Sequence, residues 1–416
     1  MKIIHTSDWH IGQTLHQYSR EEEHKCFFNQ LKQIILEENP DALIVSGDIF
    51  DSVLPSVLSQ ELYYHTLVDF SKLNDDLQII VVAGNHDSAS RLEAPRVLWR
   101  AFNVTVVGCL DVYSDPDNGK LLFDTSKIQI PITRNEVIVG WVLAVPYIKP
   151  GNYPSLEEND TFSNRVFSFY NNLKDDLKQN GQYNDNHSIV ATGHYTVTGS
   201  NIKDKDKIIG GLESVDASNF SSLTEIDYWA FGHIHHPQFI GGNINMRYSG
   251  SPFALTFNED YQHSVSIVNI ENHNVEVKIK EIEPMIPICD FPFKPTSYDD
   301  ALPFDNVKNQ LLELVDKEQY IRLHIKSDMP LTDVENADLL NLFKDKKAKY
   351  CGNMIYLPEI LENETNSQIR TLEEFKAISP FELGCREFKR KNNFEMPDEM
   401  KEMFRKVCEE VTNNRD

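Results

Sequence analysis

The sequence predicts an α/β fold: a β-sandwich flanked by helices, followed by a small α/β module and a C-terminal helical segment. Three observations predict it. Strand-length apolar runs alternate with amphipathic helical stretches through the first hundred residues, the pattern of right-handed parallel crossovers. Five apolar runs end in short turns that deliver Asp, Asn or His, as expected of a site assembled from loops at the carboxyl edge of a rigid sheet. After about residue 283 these runs stop, and Pro284, Pro287, Pro292, Pro295 and Pro303 mark a linker into a smaller unit.

In the first run Ile3 and Ile4 are core residues. Asp8 and His10 follow at an i, i+2 spacing, which in extended chain points both side chains the same way. An oxygen and an imidazole nitrogen facing one point suit a divalent transition metal better than an all-oxygen site would. Arg20 to Glu38 reads as an amphipathic helix with Phe27, Leu31, Ile34 and Ile35 on one stripe, ended by Pro40. Leu43 to Val45 reads as a strand buried on both faces. Gly47 allows a tight turn, and Asp48 emerges at the strand's edge. Taken alone, Asp48 reads as a turn or helix-capping aspartate.

A second helix is expected from about Pro55 to Lys72, with Val57, Leu58, Leu62, Leu67 and Phe70 as its buried side. It leads into the strand that delivers Gly84-Asn85-His86-Asp87. Asn85 offers a neutral amide oxygen as a metal ligand. His86, pointing elsewhere, is free to give a proton to a leaving alkoxide or to steady phosphoryl oxygens. Taken alone, this turn reads as a helix cap. Val104 to Val107 and Val137 to Val145 are further strands, read as the second half of the sandwich. Gly151 to Asn186 reads as a polar loop and an exposed helix, after which Ser188 to Thr192 delivers Gly193-His194. The stretch 197–211 interleaves Lys203, Lys205 and Lys207 with aspartates, and reads as a solvated charge run or as a loop beside the site. Tyr228 to Phe231 then delivers Gly232-His233-Ile234-His235, whose two imidazoles again converge.

The net charge of −24 over 416 residues argues against broad electrostatic binding to nucleic acid or anionic membrane, so any nucleic-acid contact must be local. Bound divalent cations would offset a cluster of acids. Six scattered cysteines without a C-x-x-C pair fit neither a zinc knuckle nor a disulfide framework, and reduced, buried thiols are expected. Residues 1 to 6 read as a core strand rather than a leader, and no apolar run approaches a membrane span, which predicts a cytoplasmic protein without membrane contact.

Asp-x-His, Gly-Asp-x-x-Asp, Gly-Asn-His-Asp, Gly-His and Gly-His-x-His, in that order over residues 1 to about 280, resemble the motif set of the calcineurin-like metallophosphoesterases. Within that superfamily, His5-Thr-Ser-Asp-Trp-His-Ile-Gly12, Gly47-Asp-Ile-Phe-Asp-Ser52, Gly210-Gly-Leu-Glu-Ser-Val215 and the tail are similar to the SbcD family of DNA double-strand-break repair nucleases. The resemblance implies two divalent metal ions, manganese in many members. Asp8, His10, Asp48 and His235 would hold one; Asp48, Asn85, His194 and His233 would hold the other. His86 matches the family's catalytic histidine, which lies off the metals. Asp51 stands where some members carry histidine, and no catalytic role is assigned to it.

Past residue 284, a strand at Ile321 to Lys326, a helix around Leu339 to Phe343 and a strand at Asn353 to Leu357 form a small α/β module, similar to the family's capping domain. Ser379-Pro-Phe-Glu382 is a capping box that starts one helix. A second begins at Pro397 with Met396, Met400, Phe404, Cys408 and Val411 on one stripe. Two short amphipathic helices need a surface, either their own cap or a partner.

The resemblance implies three parts: residues 1–283 as nuclease domain, 284–362 as cap, and 363–416 as helices that dock on the coiled coil of the SMC-like ATPase SbcC. It further implies a homodimer within a heterotetramer, associated with the nucleoid when on DNA. The activity implied is 3′ to 5′ double-strand exonuclease and endonuclease action at DNA ends and hairpins. The alternative is a small-molecule or protein phosphoesterase of the same superfamily, against which the additional 130 residues speak.

Overall fold

A computed structural model of the chain describes residues 1–114, 121–153, 161–201 and 214–358, with positions 388, 396, 397, 400, 401 and 404. Residues Met1–Leu357 form one compact unit and Pro358–Asp416 a second. In the first unit two six-stranded sheets pack face to face. One runs, edge to edge, Asn274–Glu281, Ser264–Glu271, Lys2–Thr6, Ala42–Ser46, Gln78–Val82, Val104–Val107. Its last four strands are parallel, as the helical crossovers require. The other sheet runs Gln238–Ile240, Asn243–Tyr248, Tyr228–Gly232, Ser188–His194, Val137–Leu143, Gln129–Arg134. Its four central strands are likewise parallel.

Alternation of side chains along the strands divides the interior. Ile3, Ala42, Ile44, Ile80 and Val82 of the first sheet lie on the face that meets the second, where His5 Nδ1 is 3.1 Å from the Tyr228 hydroxyl, while Trp229 and Phe231 alternate to the second sheet's other face and pack on Phe220. The opposite face of the first sheet (Ile4, Leu43, Val45, Ile79, Val81) is covered by the helix Glu21–Glu38 through Phe27, Leu31, Ile34 and Ile35. The helix Val57–Ser71 covers it further through Tyr63, Leu67 and Phe70. Each such fully buried side chain is worth about 1.5–3 kcal/mol. A sheet filled on both sides is a rigid floor for the loops at its carboxyl edge.

Three expectations are corrected. Val104–Val107 is the edge strand of the first sheet, paired with Gln78–Val82, rather than part of the second; strand pattern alone does not say which sheet a strand joins. The helix Phe162–Gln179 is not exposed: Val166, Phe169, Tyr170, Leu173 and Leu177 are buried, and Tyr170 meets Trp229 edge to face at 5.0 Å. The buried stripe of the second helix is Ser59, Tyr63, Thr66, Leu67 and Phe70, so Val57 and Leu58 flank it and stand 69% and 62% exposed. Val53, Leu54, Val97 and Leu98 are exposed as well. Cys26, Cys109, Cys289 and Cys351 are free thiols, of which Cys109 is exposed.

The small module expected after residue 284 is a parallel sheet in the order Ile288–Phe291, Tyr320–Lys326, Lys349–Tyr356, with helices Phe304–Leu311 and Asp333–Phe343. It has its own core of Val307, Leu311, Ile321, Leu323, Ile325 and Leu339. The second helix is longer than expected because Thr332 and Glu335 form a capping box that starts it at Asp333 rather than near Leu339. The joint to the two large sheets is polar and buried. The Arg20 guanidinium lies over the rings of Phe253 and Tyr320 at 4.8 and 5.0 Å and pairs with Glu23, which also accepts from the Tyr320 hydroxyl at 2.8 Å. The helices expected from Ser379 and Pro397, and most of the 197–211 stretch, lie outside the described residues.

Candidate metal centre

Five strand ends converge at one edge of the sandwich. Asp8, His10, Asp48 and His233 have φ of 52°, 46°, 49° and 95°, the left-handed region that few residues with a side chain adopt. The side chains therefore converge through tight turns rather than through extended-chain alternation. Backbone bonds hold the turns together: Asp8 N–H donates to Gly47 O (3.0 Å) and His10 N–H to Asp48 O (3.0 Å). Two carboxylates expected as ligands join in, since Asp8 Oδ1 accepts from His233 N–H (3.0 Å) and Asp48 Oδ1 from His86 N–H (2.9 Å). Close approach demands glycine at Gly84, where a Cβ would lie 2.1 Å from Asp48 Oδ1, and at Gly232, where it would lie 1.9 Å from Ser46 O.

Asp87 had no role assigned from the sequence, and it fastens two of these loops. Its buried carboxylate accepts from Gly84 N–H (2.8 Å), Ile49 N–H (3.1 Å) and Phe50 N–H (2.9 Å). Burial, and then the charge of Asp48, push this carboxyl up to about 6.

All seven expected ligands come together. Asp48 Oδ2 lies 3.2 Å from His194 Nε2 and 3.6 Å from His10 Nε2, between two imidazoles. Asn85 Oδ1 lies 3.0 Å from both His194 Nε2 and His233 Nδ1. Donor atoms of Asp8, His10 and His235 lie within 4.8 Å of one another, and so do those of Asp8, Asp48 and His194. His86 stands beside this set, exposed, its ring 5.0 Å from that of His10 and its Nδ1 3.2 Å from Asp51 O. The Asp51 carboxylate is 3.3 Å from His10 Nδ1.

The electrostatics are those of a site built for cations. Burial opposes the charge of Asp48, but His194, His10 and His86 outweigh it and hold the carboxyl well below its usual range. Burial likewise opposes a proton on His194, but the facing Asp48 outweighs it and raises this ring to about 9. His233 is pushed down to about 3, by burial first and His194 next, and so presents a lone pair at neutral pH. His10 is buried, and neither of its ring nitrogens makes a hydrogen bond. An orphaned buried imidazole, a carboxylate between imidazoles and an amide oxygen aimed at two ring nitrogens fit a divalent ion such as Mn, Fe or Zn. His194 Nδ1 lies 2.9 Å from Ser46 O and His235 Nδ1 lies 3.0 Å from Glu259 Oε1, so each ring can donate there and present Nε2. Glu259 also escaped the sequence reading, because nothing in its spacing from His235 marks it.

The calcineurin-like phosphoesterase family profile matches residues 1–237. Among curated proteins, the chain is 32% identical over 349 residues to the SbcD subunit of the nuclease SbcCD of Rhodobacter capsulatus, covering 81% of this chain and 83% of that one. It is also 32% identical to the SbcD of Escherichia coli, covering 67% and 69%, and to that of Bacillus subtilis, covering 65% and 66%.

Proposed function

The chain belongs to the calcineurin-like phosphoesterases and, within them, to the SbcD family of nuclease subunits, and on that premise we propose a metal-dependent DNA nuclease that cuts ends and hairpins together with the ATPase SbcC. Its action is 3′ to 5′ exonucleolytic on double strands and endonucleolytic at hairpins. The observation that carries the reading is the gathering of seven oxygen- and nitrogen-donor residues at one sheet edge, Asp48 among them.

The family implies divalent metals. We assign Asp8, His10, Asp48 and His235 to one ion and Asp48, Asn85, His194 and His233 to the other, with Asp48 shared and manganese as the native metal. When bound, such a pair supplies a clamp for phosphate oxygens and an acidified water. The chain's own residues do the rest: Asp48 is preset between His10 and His194, and His86, exposed beside the donors, gives a proton to the leaving oxygen. With the chain so acidic, contact with DNA is local to this edge.

We assign residues 1–283 to the nuclease domain, 284–362 to a cap that selects which nucleic-acid shapes enter, and 363–416 to SbcC binding. A homodimer within a heterotetramer is supported by the exposed apolar set Val53, Leu54, Val57, Leu58, Val97 and Leu98, which a second copy would cover. No helix among the described residues is long and apolar enough to cross a membrane; the enzyme is assigned to the cytoplasm, and to the nucleoid when on DNA. The test is manganese-dependent hydrolysis of linear and hairpin DNA beside bis-p-nitrophenyl phosphate, with and without SbcC and ATP, and Asp48→Ala as control. Cutting of DNA that SbcC and ATP modulate is the expected result; turnover of the small ester alone would overturn the reading. Deleting 363–416 should abolish SbcC binding.

A further inference from the structure

The segment 249–263 supplies no expected ligand, yet it places a buried carboxylate against one. Glu259 is 5% exposed, and its Oε1 lies 3.0 Å from His235 Nδ1. Its other oxygen is occupied by its own segment: Oε2 accepts from Leu255 N–H at 3.1 Å and from Ser251 Oγ at 3.0 Å. The Ser251 N–H in turn donates to His235 O at 3.0 Å. The segment is gripped from outside as well, by Gln13 Nε2 on Leu255 O and by an Arg20 guanidinium nitrogen on Ala254 O, both at 3.0 Å. The Arg322 guanidinium of the cap lies 4.6 Å over the ring of Phe257. Glu259 thus has a position set independently of the ring it touches.

We propose that Glu259 is a positioning residue of the metal centre, fixing His235 with its proton on Nδ1 so that Nε2 carries the lone pair offered to a cation. A carboxylate behind a ligating imidazole fixes its tautomer and raises its basicity, and losing it typically costs 10- to 100-fold in metal affinity. The inference rests on the metal-centre reading above. An amide cannot replace this carboxylate. With its oxygen toward His235, a glutamine would set its NH2 against Leu255 N–H; turned over, it would donate to His235 Nδ1 and drive the proton to Nε2.

The test is calorimetric titration of Mn2+ into the metal-free full chain, wild type, Glu259→Gln, His235→Ala and the double variant. The ¹⁵N-resolved tautomer of His235 in the metal-free wild type and Glu259→Gln accompanies it. Expected are two ions in the wild type and a 10- to 100-fold weakening of one step in Glu259→Gln with the other step unchanged. Loss of the Nδ1–H tautomer is expected in that variant, and no further effect of Glu259→Gln once His235 is alanine. Unchanged affinity and tautomer in Glu259→Gln would overturn the proposal. So would additive effects with both steps weakened, the mark of a purely structural role. A wild type that takes up no ion would instead sink the metal reading itself, and this inference with it.

Discussion

Replacing Asp87 probes whether the site is held by its turns or only decorated by its ligands. Its carboxylate is the acceptor for three buried backbone donors, on Gly84, Ile49 and Phe50, from the two loops that carry Asp48 and Asn85. In Asp87→Asn, an amide oxygen placed at the Oδ2 position keeps Gly84 and Ile49 as donors, but the NH2 group then faces Phe50 N–H. One buried donor is stranded, which costs about 1–3 kcal/mol; the two remaining bonds lose their charge assistance, but relief from burying a charge beside Asp48 offsets that loss. A local destabilisation of about 1–3 kcal/mol corresponds to roughly 5- to 150-fold faster amide exchange where these loops open on their own. Hydrogen exchange of peptides spanning 43–52 and 79–87 in the metal-free protein measures it directly. The strand Ala42–Ser46, buried throughout, should stay protected while 48–51 loses protection. Exchange in Asp87→Asn at the wild-type rate would refute the reasoning, because the three bonds would then carry no load.

Three further outcomes are expected. His86→Asn should leave two-ion binding by calorimetry intact while lowering turnover about 10²- to 10⁴-fold; equal activity would remove His86 from the mechanism. Because His194 is raised to about 9, its ring holds a proton at pH 7 in the metal-free protein, and its Nε2 can ligate only after losing it. Ion uptake should therefore release a proton, and affinity should rise about tenfold per pH unit toward pH 9 and level above it; an observed heat independent of the buffer's ionisation enthalpy would refute this. Val57→Glu with Leu58→Glu should give monomers in sedimentation while hardly changing the folding of one copy, since both side chains are mostly exposed; unchanged sedimentation would exclude this face from the dimer.

How much of this was legible depends on what residue type encodes. An apolar run, a glycine and a carboxylate announce a strand edge with a charge on it, so Asp8, Asp48 and His194 could be marked and their common edge expected. The left-handed φ of Asp8, His10, Asp48 and His233 was not legible, because neither Asp nor His demands it; the crossed backbone bonds impose it. Leu58 and Val57 read as core because an apolar stripe does not say which of its residues the sheet covers. Val104–Val107 carries the same alternation in either sheet, and only pairing decides. Glu259 lies 24 positions from His235, beyond the strands Gln238–Ile240 and Asn243–Tyr248, and such distances leave no periodic trace.

The joint at Arg20 bears on how the small module of residues 288–356 can behave. Lifting it away would take the Tyr320 hydroxyl from Glu23, a bond to a charged group worth about 1.5–3 kcal/mol, and one ring from the guanidinium, worth about 0.5–2 kcal/mol. It would also part Leu15 and Phe257 from Ile286, Tyr320 and Cys351. The module is therefore welded rather than hinged. A fragment trimmed at residue 283 would leave that seam open to water as a sticky, half-charged scar, and the shortest well-behaved catalytic piece runs to about residue 357.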